Sequence, residues 1–171
     1  MSEIDDQYLL ETVKSFRGLK SNAEKAMAQI NEKELHFCPD PESNSVAILI
    51  KHLSGNMVSR FTDFLTTDGE KSWRERDNEF VDELLNQEGL MNIWNKGWKV
   101  VFDTLSGLTS IDLSKVVYIR GEEYTVLRAL QRQLVHYAYH TGQIVYICKL
   151  IRSIDFTTLS IAKKKDENDN K

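Results

Sequence analysis

Proline is nearly missing from this chain: of 171 residues only Pro39 and Pro41 carry it, and both fall in one short stretch. Long segments on either side are therefore free to be helical, because proline is the strongest local helix breaker. Cysteine is as scarce. With Cys38 and Cys148 alone there is no disulfide framework, and a reducing cytoplasm is the expected location. Long apolar runs are lacking too. The longest, Val46 to Ile50, is about five residues against the roughly 20 needed to span a bilayer, so no membrane is expected as a partner. The start, Met1-Ser-Glu-Ile-Asp-Asp, has no basic segment followed by an apolar run and is not read as a secretory signal. Nor is there an excess of positive charge: 22 Lys and Arg stand against 26 Asp and Glu, a net charge of -4, with the signs interspersed. Binding phosphate backbones needs a clustered basic face, so nucleic acid is not an expected partner.

What is present is an ordinary globular composition, 41% apolar and 28% charged, on a length that suits one core. We read a single domain over residues 1–160 and a charged, disordered tail over 161–171. From about Asp5 to Ile30, the residues Tyr8, Leu9, Thr12, Val13, Phe16 and Leu19 recur at three- and four-residue steps, the pattern of one buried helical face. Asn31 to Ser43 is a polar connection. A second helix starts near Asn44 or Ser45, side chains suited to capping a first turn, and runs to Leu65. Thr66 to Asn78 is polar, with a turn signal at Asp68-Gly69, and a short helical piece is expected from Glu79 to Leu85. The third long helix, Gln87 to Leu105, carries Leu90, Ile93, Trp94, Trp98 and Val101 along one side. Lys115 to Ile119 is rich in β-branched and aromatic residues and is followed by the turn Arg120-Gly121-Glu122, which predicts a small strand or hairpin. The fourth long helix spans about Thr125 to Ile154. The expected fold is all-α, a four-helix bundle with a strand or hairpin before its last long helix.

Four histidines exist, His36, His52, His136 and His140. His136 and His140 stand at i and i+4, which on a helix stacks two imidazoles on one face, close enough to share an ion. Ala129, Gln133, Ile144, Ile147 and Ile151 continue the same stripe, so the pair lies on or beside the core. Two buried imidazoles need partners, and either a metal or nearby hydrogen-bonding groups would serve. His52 lies on the second helix among Ile48, Leu49 and Phe61. By itself it reads more readily as a satisfied core histidine than as a ligand, but a bundle can aim residues of two helices at one interior point. Three neutral nitrogens would leave open positions on an ion, as catalytic sites do. His36, outside the long helices, is set aside.

These residues carry a resemblance. Ile50-Lys-His-Leu-Ser-Gly-Asn-Met57, His136-Tyr-Ala-Tyr-His140-Thr-Gly-Gln-Ile144, Trp73-Arg-Glu-Arg-Asp77 and Tyr118-Ile-Arg-Gly-Glu122 are similar to the DinB/YfiT-like superfamily of metal-dependent bundle proteins, over about residues 5 to 155. The superfamily pattern is one histidine on the second helix and a His-x-x-x-His pair on the fourth. The resemblance therefore implies His52, His136 and His140 as metal ligands, a divalent ion (nickel or zinc most often) as cofactor, and a homodimer. Characterised relatives include thiol-dependent S-transferases and a maleylpyruvate isomerase. It thus implies a low-molecular-weight thiol as a partner, held as its reactive thiolate and transferred to an electrophile. The alternatives left open are a metal-assisted hydrolase or isomerase, and a non-catalytic dimeric metal-binding or stress-response module.

Supporting roles fall to Asn56 and Ser59, one and two turns after His52, and to Gln133 and Gln143, three residues on either side of the histidine pair. Any of them could steady an imidazole or meet a substrate polar group, though each reads more readily as an ordinary helix-margin residue. Arg74 and Arg76 could clamp an anionic cosubstrate, or pair with local acids on a loop pinned by Trp73. No carboxylate stands at a ligand spacing from either histidine cluster, so no general base is identified. Gly55 and Gly142, inside helices, are explained by close packing as well as by access.

Overall fold

The computed structural model describes residues 3–161, so most of the charged tail read at 161–171 lies outside the described residues. Four long helices and one short one carry the chain: α1 (Glu3–Met27), α2 (Glu32–Leu35), α3 (Val46–Phe61), α4 (Gln87–Gly107) and α5 (Val126–Arg152). A two-stranded hairpin, β1 (Val116–Ile119) with β2 (Glu122–Thr125), precedes α5, as the change of sequence period predicts. No helix among the described residues is long and apolar enough to cross a membrane.

Each long helix after the first starts on a side-chain cap. Ser45 accepts from the Ile48 amide, Asn86 from Gly89 and Thr125 from Arg128, each answering an amide that has no partner within its helix. α3 is buried on nearly every side, from Val46 to Phe61, which fits a sequence apolar almost all round. It packs chiefly along α4, while α1 packs chiefly along α5. One buried ring from each long helix meets at the centre: Phe16 of α1, Phe61 of α3, Trp98 of α4 and Tyr137 of α5. Their edge-on centroid separations run from 5.8 to 6.4 Å, the geometry aromatic quadrupoles favour.

Two expected elements differ. The second helix stops at Phe61 rather than Leu65, because Thr62 is extended and Asp63 sits at φ 49. The expected helical piece over Glu79 to Leu85 is absent. A 3₁₀ turn over Arg76–Phe80 takes its place, and irregular chain with Leu84 at φ 51 leads to Asn86. Residues 62–86 thus cross beside α3 without a long helix of their own. Trp94 and Trp98 are core residues, and Cys148 is a buried thiol whose pKa burial pushes up to about 12.

The hairpin tip ties this crossing segment down. Arg120 (φ 57) and Gly121 (φ 75) form a two-residue turn with both φ positive, the hand that matches strand twist. Asp68 accepts from both of their amides, at 2.9 and 2.7 Å, and the Gly69 amide donates to Tyr118 O at 2.8 Å.

Close α3–α4 packing depends on Gly97, where an added Cβ would come within 2.9 Å of Ser54 Cα. Gly97→Ala is expected to destabilise the protein by about 1–3 kcal/mol despite alanine's better helix propensity, because backbone must move. The check is a lowered urea midpoint with an unchanged slope.

Candidate metal centre

α3 and α5 cross so that their histidines face one another. His52 Nε2 lies 3.3 Å from His136 Nε2, which lies 3.1 Å from His140 Nε2. The three ligand atoms fall within 4.8 Å of one another, and no fourth His, Cys, Asp or Glu joins the group among the described residues. Two imidazoles about 2.1 Å from one ion sit roughly 3.4 Å apart at the tetrahedral angle and roughly 3.0 Å apart at a right angle. The observed separations fall between these limits.

Tautomers sharpen the case. His52 Nδ1 donates to Glu79 Oε2 at 3.0 Å, and His140 Nδ1 donates to Gln143 Oε1 at 2.7 Å. Both rings therefore hold their proton on Nδ1 and turn a bare Nε2 inward. His136 Nδ1 is buried and meets no partner. If His136 carries its proton on Nε2, it can satisfy only one of two facing lone pairs and leaves its own Nδ1 bare. If it carries the proton on Nδ1, three lone pairs confront one another. A cation between them removes the conflict, so the residues present fit a divalent ion. Burial, then the charges of His140, His52, Arg132 and Arg74, lower the His136 pKa to about 3, which disfavours a second proton on that ring. His140 is likewise lowered, mainly by burial.

One residue missed by the sequence reading is Glu79. It is buried, twenty-seven positions from His52, in the 3₁₀ turn. Arg74 grips it in a two-point bond, Nε to Oε1 and Nη2 to Oε2, both 2.8 Å. Burial pushes the Glu79 carboxyl up, but the bonds from His52 and Arg74 outweigh it and hold it ionised below its usual range. Behind Arg74, Glu70 accepts from Arg60 at 2.7 Å and Arg120 at 2.9 Å, and lies 3.4 Å from Arg74. Burial raises the Glu70 pKa, yet Arg60 and Arg120 bring it down to about 2. The signal for Glu79 was Gly55: an added Cβ there would lie 2.2 Å from Glu79 Oε1, so the helix keeps a glycine to admit the carboxylate. Gly142 has open space beside it.

The remaining sequence candidates separate by position. Gln143 holds His140. Asn56 accepts from Tyr137 Oη at 3.1 Å and lines the cavity, whereas Ser59 is buried and donates to Gly69 O at 2.8 Å, pinning the crossing segment. Gln133 is buried with neither amide atom partnered. Arg74 is engaged by Glu79 and Glu70, and Trp73 is 57% exposed, so ion pairs rather than the indole anchor this loop. Arg76 is half exposed above Phe80, whose ring lies tilted against His52 at 4.7 Å between centroids. His36 is separately satisfied by Asp82 and Leu85 O. A cavity of about 660 Å³ opens from the histidine cluster to solvent, walled by α3, α5, the crossing segment and the hairpin tip.

A pair of helices that brings one histidine to a His-x-x-x-His pair is the arrangement that the resemblance to DinB/YfiT-like proteins implies. The chain belongs to the family described as protein of unknown function (DUF1572), whose model matches residues 3–165. Among curated proteins none matches.

Two outcomes test this geometry. Glu79→Gln and Gly55→Ala are each expected to weaken zinc or nickel affinity by about 10- to 100-fold, the usual cost of losing a ligand's hydrogen-bond partner, with helix content retained by circular dichroism. The second concerns acid. The folded protein holds His136 neutral to about pH 3, whereas an unfolded histidine takes up its proton near pH 6.5. The stability that a neutral His136 contributes to the metal-free protein is therefore full above about pH 6.5 and lost as pH falls toward 3. His136→Phe should flatten that slope in urea titrations.

Proposed function

We propose that the protein is a divalent-metal-dependent enzyme, a four-helix bundle of DinB type, that transfers a low-molecular-weight thiol to an electrophile at His52, His136 and His140. The observation that carries it is the convergence of three Nε2 atoms, with no fourth protein ligand among the described residues, at the floor of an open cavity. Closed four-ligand sites serve structure, whereas three-ligand sites leave room for a reactant. An all-imidazole set suits zinc or nickel.

When bound, the ion supplies Lewis acidity that keeps a sulfur ligand ionised at neutral pH. The chain's residues do the rest. Glu79 and the Gln143 carbonyl hold protons on the outer nitrogens of His52 and His140, which fixes both rings with Nε2 inward. Arg74 keeps Glu79 ionised and immobile. In the proposed transfer, sulfur bonds to the electrophilic carbon as the leaving group departs with its electron pair, and the thiol proton passes to solvent. The expected setting is a cytoplasm, and the expected assembly a homodimer. In support of the latter, α5 exposes Val135, Tyr139, Tyr146 and Leu150 at four- and seven-residue steps, a stripe suited to a second copy.

Elemental analysis of protein grown in metal-replete medium and purified without an affinity tag should find about one divalent ion per wild-type chain and almost none in His136→Ala. The loaded protein should consume thiol with at least one electrophile of a broad panel. Wild-type protein without metal would overturn the proposal.

A further inference from the structure

The cavity above the histidines is lined by five arginines, Arg60, Arg74, Arg76, Arg120 and Arg132, and by no carboxylate. The protein as a whole carries a net charge of -4, so this concentration of one sign is local. The carboxylates that answer these guanidiniums from behind are Glu70 and Glu79, two negative charges against five positive ones. Asp77 approaches Arg76 only to 3.7 Å, and its side chain is fully exposed.

The five do not play one part. Arg60 and Arg74 are buried and bound into the ion-pair network under the crossing segment, and Arg120 is drawn to Glu70. Arg132 has no hydrogen bond or ion pair among the described residues, yet it lines the cavity from α5. It stands four residues before His136, about 6 Å along the helix axis, and its charge reaches that imidazole. Arg76 lines it from the crossing segment, over Phe80, the ring tilted against His52. Two guanidiniums with free donors thus flank the entrance to the candidate metal centre from α5 and from the crossing segment. Guanidinium forks match the paired oxygens of carboxylate and phosphate, and a cleft lined by one sign of charge concentrates the opposite ion.

We propose that Arg132 and Arg76 form an anion-binding site, so that the molecule entering this cavity carries a carboxylate or phosphate group bound there. That group would hold the reacting end of the molecule against the three histidines. Its placement beside the reaction rests on the metal-centre reading, whereas the arginine site itself does not.

The test is calorimetric titration of the full-length protein at low salt, both zinc-loaded and metal-free after chelation, with inorganic phosphate and with succinate as probes. The expected result is saturable binding of at least one probe in both forms, with the preference telling phosphate from carboxylate. Arg132→Gln should weaken it about tenfold and the double variant with Arg76→Gln further, while Lys99→Gln, an exposed charge on α4, should leave it unchanged. Equal affinity in wild type and the double variant, or no saturable binding of either probe, overturns the site. Binding confined to the zinc-loaded form and indifferent to both arginines would also overturn it, since the ion alone would then hold the anion. Binding by metal-free protein that the arginine variants lose, in a protein that takes up no metal, would uphold the arginine site while sinking the proposed enzyme.

Discussion

The hydrogen bond from His52 to Glu79 is the constraint around which this half of the molecule is arranged. A carboxylate inside a helical protein is costly unless its oxygens are met by donors, and a single imidazole cannot meet both. Arg74 supplies the other bonds, and as a buried cation it needs carboxylates in turn. Glu70 extends the alternation of charge outward to Arg60 and Arg120. The alternation runs from the imidazole to the hairpin tip, and each member satisfies its neighbours. A segment with little regular structure is thereby tied to α3 and to the hairpin. Gly55 is the concession α3 makes to it, since a side chain there would occupy the space of the Glu79 carboxylate.

Beneath this polar layer lies the aromatic one. Tyr137, next in sequence to His136, turns its ring into the cluster with Phe16, Phe61 and Trp98, and its hydroxyl back to Asn56. A large rigid side chain with one polar tip thus joins the dry interior to the floor of the cavity. It also fixes the rotation of α5 about its axis, on which the direction of His136 and His140 depends. The hydroxyl is buried and held in its neutral form, so it serves as a fixed donor.

The long helices were legible because their apolar residues repeat at helical spacing and proline is confined to positions 39 and 41. The hairpin was legible because Val116 to Ile119 breaks that period just before a turn. The histidine cluster was legible for a similar reason: an i,i+4 pair on a core-edge stripe and a histidine on an apolar helix have few other places to meet. Glu79 was not legible. Its segment has no period, and the reading that made it the start of a short helix had nothing to set against its acidic and apolar residues. What places it is a three-dimensional crossing, and the trace of the Glu79 carboxylate on α3 is a glycine three residues past His52. Arg132 was missed differently. It stands one turn from His136, on the helix most closely inspected, but an exposed arginine looks unremarkable until the far wall of the cavity is known.

α1 and α4 line none of the cavity among the described residues, although each runs the length of the protein beside a helix that does. The histidines belong to α3 and α5, one from each of the two helix pairs, so they meet at the seam between halves. An ion held there would act as a rivet: its occupancy would favour the state in which the halves are closed, by mass action and without adding an apolar contact. Metal supply would then govern how tightly the two pairs stay shut as well as any chemistry between them, and the outer helices could change their surfaces freely without disturbing either.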